Sequence, residues 1–535
     1  MKTHHLIGGF LVAFGVAAVP AERAVVVGAD LGRPSRAEQA PPARLDATTD
    51  HAECSHLVML RFPDVKVTEA VSVPAAQKGN VRVAHCKVDG VIGTEIHFEL
   101  LLPDRWNRKL TMGGGGGFGG TVQNAVEASV NSGYATVGTD TGHTGGAADA
   151  TWALNNLERQ LNFGYLAVHL TAEVAKAIVA SYYGSASSRN YFLGCSRGGG
   201  QAMMEAQRYP DDFDGIVAGA PAFDWPGLAA EMIHNAQVAF PDGKHLETAP
   251  FTPEQLKFVE SSILAACDTL DGVKDGLMED PRRCTFDIDT IATCAADQPG
   301  PQCLTKSQHV ILRSLYAPTI NRDGVIYPGQ PFGGEGDAQG WRAWITGPSA
   351  QVALTGIPSL RYAFGTGIFK YIVFGDPSWD YTRYNLDNLA KDTKLTATFM
   401  NATSTDLGAF KRKGRKMLLW HGWSDPALTP LATIRYYEQV EARDANVRDY
   451  ARLFMMPGML HCIGGPGPDT ADWTEAIDAW VESGQAPDRV IARKTVGGPG
   501  GNVTRTRPLC PYPQHATYTG SGSIDAAENF VCRQP

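Results

Sequence analysis

Asn190-Tyr191-Phe192-Leu193-Gly194-Cys195-Ser196-Arg197-Gly198, continued by Gln201-Ala202-Met203-Met204-Glu205-Ala206-Gln207-Arg208, decides the reading of this chain. The apolar and aromatic run before Gly194 suits a buried strand, the run from Gln201 favours helix, and Pro210 stops it. Between them lies a sharp turn that carries a serine. Gly-x-Ser-x-Gly alone is a weak signal in a chain this rich in glycine. The strand-turn-helix context strengthens it: such a turn strains the serine backbone and lifts its Oγ clear of a parallel sheet, while bare glycines let strand and helix approach. Ser196 is the candidate nucleophile.

A serine hydroxyl needs a base to take its proton, and the base needs an acid to fix its tautomer. On an elbow of this kind the acid and then the histidine follow the serine in the chain, each on a loop after a strand. Residues 416–420 read as a strand leading into His421-Gly422-Trp423-Ser424-Asp425, and residues 451–456 as another leading into Pro457-Gly458-Met459-Leu460-His461. Asp425 and His461 therefore complete the candidate triad. His421 and His143 compete for the base, but His421 precedes the acid and His143 precedes the nucleophile. Cysteines neighbour both reactive residues: Cys195 adjoins Ser196 and Cys462 adjoins His461. A bond between them, which needs Cα atoms roughly 4.4–6.8 Å apart, would staple nucleophile and base within reach.

The ten cysteines are even in number and fit an oxidising compartment. Connectivity does not follow from sequence, although local spacing suggests Cys54 with Cys86, Cys267 with Cys284, Cys294 with Cys303 and Cys510 with Cys532, leaving Cys195 and Cys462 for each other. No C-x-x-C pair occurs, which sets thiolate-bound zinc aside. Met1-Lys2-Thr3-His4-His5 and the apolar run 6–19 read as a signal peptide, residues 1–21, cleaved after Ala21. The expected location is secreted, extracellular or periplasmic. No second apolar stretch approaches the length of a membrane span, so no membrane partner is expected. Net charge is −9 with no basic run, which argues against nucleic acid.

The 535 residues are too many for one compact core and suggest two structural units. Strand signals at 91–102 and 133–138 and a helix signal at 165–183 give α/β patterning. From 224 to 408 the pattern breaks into proline- and aromatic-bearing loops with scattered helices, and it then resumes. The expected organisation is a core in two parts, residues 22–223 and 409–535, split by an inserted lid, residues 224–408.

Two backbone N–H groups are needed to hold the oxyanion of a tetrahedral intermediate. One should come from Arg197, the residue after the nucleophile, and the other from the loop where Leu110-Thr111-Met112 runs into the glycines 113–117. Phosphate binding is excluded there, because no Gly-Lys-Ser/Thr follows and the spacing is not that of a dinucleotide site. A second dense site is Cys267-Asp268-Thr269-Leu270-Asp271-Gly272-Val273-Lys274-Asp275-Gly276-Leu277. Three carboxylates with turning glycines suit a hard cation. The register is not that of an EF-hand. The reading is structural calcium on Asp268, Asp271 and Asp275 with the carbonyls of Val273 and Leu277, closed by Cys267 and Cys284.

Together these residues resemble the tannase and feruloyl esterase family, which also includes mono(2-hydroxyethyl) terephthalate hydrolase. The resemblance covers nearly all of the mature chain. It runs through Trp106-Asn107, the glycine loop, Gly133-Tyr134-Ala135-Thr136-Val137, Thr139-Asp140-Thr141-Gly142-His143, Gly194-Cys195-Ser196, residues 211–221 and 268–277, His421 to Asp425, Pro457 to Cys462, and Arg507-Pro508-Leu509-Cys510-Pro511-Tyr512-Pro513. It implies an α/β-hydrolase core with a large lid inserted after the nucleophile helix. It also implies the triad Ser196, Asp425, His461, the Cys195–Cys462 bridge, a calcium site in the lid, no organic cofactor, and Gly116 as the oxyanion glycine. The implied activity is that of a secreted serine carboxylic ester hydrolase acting on small-molecule or polysaccharide-linked esters of hydroxycinnamic or gallic acids. Alternatives are terephthalate-type monoesters or, in a different class, a catalytically silent polyphenol- or carbohydrate-binding protein. Arg197 departs from the pattern, which leads one to expect a small or acidic residue there. Trp225, Tyr362, Phe364, Phe369, Tyr371 and Phe374 are candidates for a flat acyl pocket, most of them expected to be lid core.

Overall fold

The computed structural model describes residues 47–348, 356–496 and 501–535, so the segment read as a signal peptide lies outside the described residues. Seven strands come first: β1 (Val65–Val73), β2 (His85–Ile92), β3 (Ile96–Pro103), β4 (Lys109–Gly113), β5 (Ala135–Thr139), β6 (Arg189–Cys195) and β7 (Gly215–Gly219). A separate hairpin, β8 (Thr319–Asn321) and β9 (Gly324–Tyr327), precedes β10 (Lys416–Gly422) and β11 (Ala451–Met456). The main sheet is nine-stranded, in the order β1-β2-β3-β5-β4-β6-β7-β10-β11. Its first edge is an antiparallel meander, and from β5 to β11 all neighbours are parallel. Parallel strands are covered on both faces and read as continuous apolar runs; Ala135–Thr139 and Gly215–Gly219 are accordingly buried at every position.

The longer helices are α1 (Ala167–Tyr183), α2 (Arg197–Arg208), α3 (Trp225–Ala239), α4 (Pro253–Cys267), α5 (Lys306–Tyr316), α6 (Leu360–Gly367), α7 (Pro430–Arg443) and α8 (Trp473–Ser483). On one face α1, α2 and α7 share a core with Phe98, Met112, Val137, Phe192 and Leu419; on the other, Ile477 and Trp480 of α8 pack on Tyr191, Leu193, Val217, Trp420 and Phe454. Residues between β7 and β10 add no strand to the main sheet. Part of this segment has its own core, built on Leu256, Val259, Ile263, Leu312, Leu315 and Trp341, while Leu228, Met232 and Ile368 join the core over the main sheet. Capping boxes start α4 (Thr252 with Gln255) and α5 (Thr305 with Gln308), and the two glutamines bond each other at 2.9 Å.

Two findings bear on the sequence reading. The four cysteine pairs suggested by spacing and the remaining pair, Cys195 with Cys462, are all bonded, and no described cysteine is free. The expectation that no second stretch approaches the length of a membrane span is corrected: Leu157–Tyr183 forms one helical run long and apolar enough to cross. Half of its most apolar stretch is buried in the protein, with Ala172, Ala175, Ile178 and Val179 fully inside the main core, so its apolarity serves packing on the sheet.

Candidate active site

β6 ends at Cys195, α2 begins at Arg197, and Ser196 between them takes φ 63° and ψ −122°. A serine with positive φ is strained by about 1–3 kcal/mol, and it persists only where its surroundings over-determine it. Here they do. Ser196 N donates to Gly219 O at 3.0 Å, and Ser196 O accepts from Gly200 and Ala222 at 3.0 and 2.9 Å. Gly194 is obligatory for the close approach: a Cβ there would lie 2.6 Å from the Gly198 carbonyl carbon.

Asp425 and His461 follow β10 and β11, as chain order predicts, and the parallel register of these strands brings their loops together. His461 Nδ1 lies 2.7 Å from Asp425 Oδ2. Asp425 Oδ1 accepts from the N–H groups of Ala427 (2.8 Å) and Leu428 (3.0 Å). Burial alone would raise this carboxyl, but the charge of His461 and hydrogen bonds from His421 and His461 outweigh it and hold Asp425 well below the usual carboxylate range. Behind it, the Gln330 amide, oriented by its partners, donates to Asp425 O at 3.1 Å and accepts from Arg361 at 3.2 Å. Arg361 is in turn ion-paired with buried Glu231.

Cys195 and Cys462, 267 positions apart in sequence, are bonded with Cα atoms 5.9 Å apart, so the residues beside them, Ser196 and His461, are tied together. Both line one cavity of about 650 Å³. No hydrogen bond joins Ser196 Oγ to His461 among the described residues, a geometry common before substrate binds. His143, a competing base by sequence, is buried beneath the glycine loop: it stacks on Trp152 at 3.8 Å, Nε2 meets Phe118 O at 2.8 Å, and burial pushes it down to about 4.

The glycine loop forms one wall of the cavity through Gly114, Gly115, Gly116 and Gly117. Gly116 N–H points at Gln123 Oε1 (2.7 Å) and Gly115 N–H at Gln201 Oε1 (3.1 Å). The candidate oxyanion donor Gly116 is therefore oriented toward an acceptor already. Arg197 opens α2, where first-turn N–H groups have no intrahelical partner. Its side chain is buried and turns to no acid. The guanidinium donates to the carbonyls of Phe163 and Gly164, lies 4.4 Å from the Phe163 ring and 5.6 Å from that of Trp225, and is pushed down to about 9 by burial.

Apart from Asn124, the rest of the lining is apolar, with Trp225, Leu228 and Met232 of α3, Leu360 and Phe364 of α6, Ile368, and Trp344, whose ring stands edge-on to His461 at 4.9 Å. Of the six aromatic candidates, Trp225 and Phe364 reach the cavity; Phe369 is fully buried, Tyr362 packs on Tyr381, Tyr371 packs half-buried against the main core, and Phe374 stacks on Trp379. Trp344, Gln123, Gln201 and Gln330 were not legible in the sequence. Trp344, Gln123 and Gln330 lie outside the nucleophile helix, and Gln201, although on α2, carries no local pattern that marks it as a partner of the glycine loop.

In the acidic loop, Asp268 Oδ1 accepts from the N–H groups of Asp275 (3.2 Å) and Gly276 (2.9 Å), and Asp271 from Val273 and Glu279 (3.1 and 3.2 Å). Asp275 pairs with Arg507 of the C-terminal strand Asn502–Leu509 at 2.5 Å. Among the described residues no three His, Cys, Asp or Glu side chains stand as a metal cage. Burial pushes Asp271 up to about 6 and Glu279 to about 8, and Glu279 Oε1 faces Arg507 Nε at 3.5 Å without a hydrogen bond, so ionising these carboxylates calls for more positive charge than the loop supplies. An additional cation fits that electrostatic demand.

The model of the family described as tannase and feruloyl esterase matches residues 80–533. The chain is 34% identical to an uncharacterized esterase of Xanthomonas campestris pv. campestris, over 92% of each chain. It is 33% identical to mono(2-hydroxyethyl) terephthalate hydrolase of Piscinibacter sakaiensis, over 87% of each. The crystal structure of feruloyl esterase B from Aspergillus oryzae superposes with a TM-score of 0.79 at 27% identity, covering 90% of this chain and 99% of that one.

Proposed function

The chain belongs to the tannase and feruloyl esterase family and is a carboxylic ester hydrolase on an α/β-hydrolase fold; within that class we propose a secreted serine esterase for esters of aromatic acids, hydroxycinnamic or gallic. The observation that carries the reading is the Asp425–His461 bond facing the same cavity as a serine held at φ 63°. Ser196 Oγ attacks the ester carbonyl as its proton passes to His461 Nε2. Asp425 holds Nδ1–H and stabilises the imidazolium that forms. The N–H groups of Arg197 and of the Gly116 region receive the oxyanion, Gln123 giving way to it. The intermediate collapses, His461 returns its proton to the leaving alcohol, and water cleaves the acyl-enzyme by the same path.

A planar acyl group suits walls made by Trp225, Phe364, Leu228 and Met232. In this reading residues 224–408 act as a lid that supplies acyl recognition, and calcium on Asp268, Asp271, Asp275 and the carbonyls of Val273 and Leu277 braces the lid against the C-terminal strands. Five disulfides fit an extracellular or periplasmic location. A second reading, hydrolysis of terephthalate-type monoesters, is favoured by the 33% identical relative of that activity. Against it, Arg197 carries the permanent charge among the described residues lining the cavity, and its guanidinium is engaged by carbonyls and rings. Rates on methyl ferulate, methyl gallate and a terephthalate monoester decide between them. A p-nitrophenol burst that vanishes in Ser196→Ala is expected; a folded Ser196→Ala with parent turnover overturns the serine mechanism and leaves a binding protein or another chemistry.

A further inference from the structure

Asp425 is touched by two histidines. Its Oδ2 lies 2.7 Å from His461 Nδ1 and 3.2 Å from His421 Nε2. His421 sits in β10, paired with Met455 of β11, and is 1% exposed, so its ring is held by the sheet rather than by a loop. Its protonation pattern follows from its partners. Nε2 faces two groups that only accept, Leu428 O at 3.1 Å and the Asp425 carboxylate, so Nε2 carries the hydrogen. Nδ1 lies 2.8 Å from Thr433 Oγ1, which donates to it.

We infer that His421 is a positioning residue for the acid of the triad: its Nε2–H, held between Leu428 O and Asp425 Oδ2, shares that carboxylate oxygen with His461, while the Thr433 hydroxyl satisfies Nδ1. The inference rests on the serine-esterase reading above. With two backbone donors on Oδ1, the His461 imidazole on Oδ2 and the His421 Nε2–H, bonded to Leu428 O at 3.1 Å, also 3.2 Å from Oδ2, the carboxylate cannot rotate about its Cβ–Cγ bond without losing charge-assisted contacts on both oxygens. The other charged groups nearby are Arg361, which reaches only the Asp425 main chain through Gln330, and Glu231, which is paired with Arg361. Neither replaces a donor on Oδ2. Removing the His421 donor does two things. The carboxylate loses its fixed rotation, which lowers turnover, and Oδ2 gives more of its charge to His461, which raises the basicity of that imidazole.

The test compares His421→Phe, which keeps a planar ring without a donor, with His421→Gln, whose Nε2 reaches as far as the imidazole nitrogen. On methyl ferulate, His421→Phe is expected to lower kcat about tenfold with KM little changed, the size of one hydrogen bond to a charged group. The acid limb of its kcat/KM profile should move up by about half a pH unit or more. His421→Gln should return both toward the parent. A folded His421→Phe with parental kcat and acid limb overturns the inference, as does a Gln variant no better than Phe. If the Phe variant does not fold, His421→Met, apolar and without a donor, takes its place. An upward shift of the limb then supports the inference, and an unmoved limb overturns it. Ser196→Ala measured alongside keeps the two claims apart: activity surviving that change sinks the esterase reading, whereas a parental limb with Ser196 dependence intact sinks only the role of His421.

Discussion

Asp425 and Glu279 are both buried carboxylates, yet the protein treats them oppositely. Asp425 receives two backbone N–H groups and two imidazoles and is held ionised well below its ordinary range. Glu279 has an Arg507 nitrogen at 3.5 Å and one oxygen without a hydrogen-bond partner, and burial pushes it up to about 8. Burial is common to both, so the number and aim of donors decide the charge state. At the catalytic loops the sheet supplies those donors from two adjacent parallel strands. At the acidic loop, short turns crowd carboxylates faster than the chain supplies cations.

The largest effect should come from removing the charge where it is fully satisfied. Asp425→Asn keeps the shape but inverts one hydrogen-bonding group toward His461, favouring the wrong tautomer, and a loss in kcat of about 10³–10⁴-fold is expected. Glu279→Gln, the same chemical change at the other carboxylate, should leave kcat within about twofold of the parent, because an amide resembles the protonated acid that burial already favours there. Steady-state rates of the two variants at neutral pH check the contrast. Equal losses in both would mean that the acidic loop is coupled to the chemistry and that the two regions are not independent.

A smaller loss is expected from cutting the staple between the catalytic loops. Cys195→Ala with Cys462→Ala leaves Asp425 and its donors in place and frees the registration of Ser196 against His461, both of whose neighbourhoods carry positive-φ residues, Ser196 and Cys462. A displacement of about 1 Å can lower rate on the order of 100-fold. That loss should fall on kcat more than on KM, since the walls from α3 and α6 do not depend on the bridge. Near-parental turnover in the folded double variant would show that the strands alone hold the registration.

What the sequence disclosed follows the same division. Ser196 was legible because strand, turn and helix are contiguous; Asp425 and His461 were legible because chain order and neighbouring cysteines carry long-range information locally. The fold class followed from alternating strand and helix signals, and the central parallel strands are where those signals lie. Trp344, Gln123 and the Gln330–Arg361–Glu231 chain were invisible, because their roles exist only once distant segments pack. The side chain of Arg197 was named as a departure, but its turn toward Phe163 and Trp225 depends on a π-helical turn, Asn162–Leu166, that no apolar period announces. The same turn interrupts the long apolar run 157–183, whose length alone resembles a membrane span.

The smallest effect, and the one that tests the second region most directly, is a pH-dependent stability. Asp271 and Glu279 have ordinary values of 3.8 and 4.5 and are raised by burial to about 6 and about 8. Between those limits the folded protein holds protons that the unfolded chain has released, so stability falls as pH rises from about 4 to about 8. A cation at the loop favours the ionised carboxylates and, bound only to the folded form, adds stability by mass action. With excess chelator the melting temperature should therefore decline by a few degrees across pH 5–8, and calcium should restore it most at the alkaline end. Asp271→Ala should lose most of the calcium response, since it removes a proposed ligand and one of the raised groups together, while turnover of the folded enzyme stays near the parent. Should the melting temperature be the same with chelator and with calcium at pH 8, and metal analysis find none bound, the acidic loop is an ordinary turn neutralised by Arg507 and by protonation.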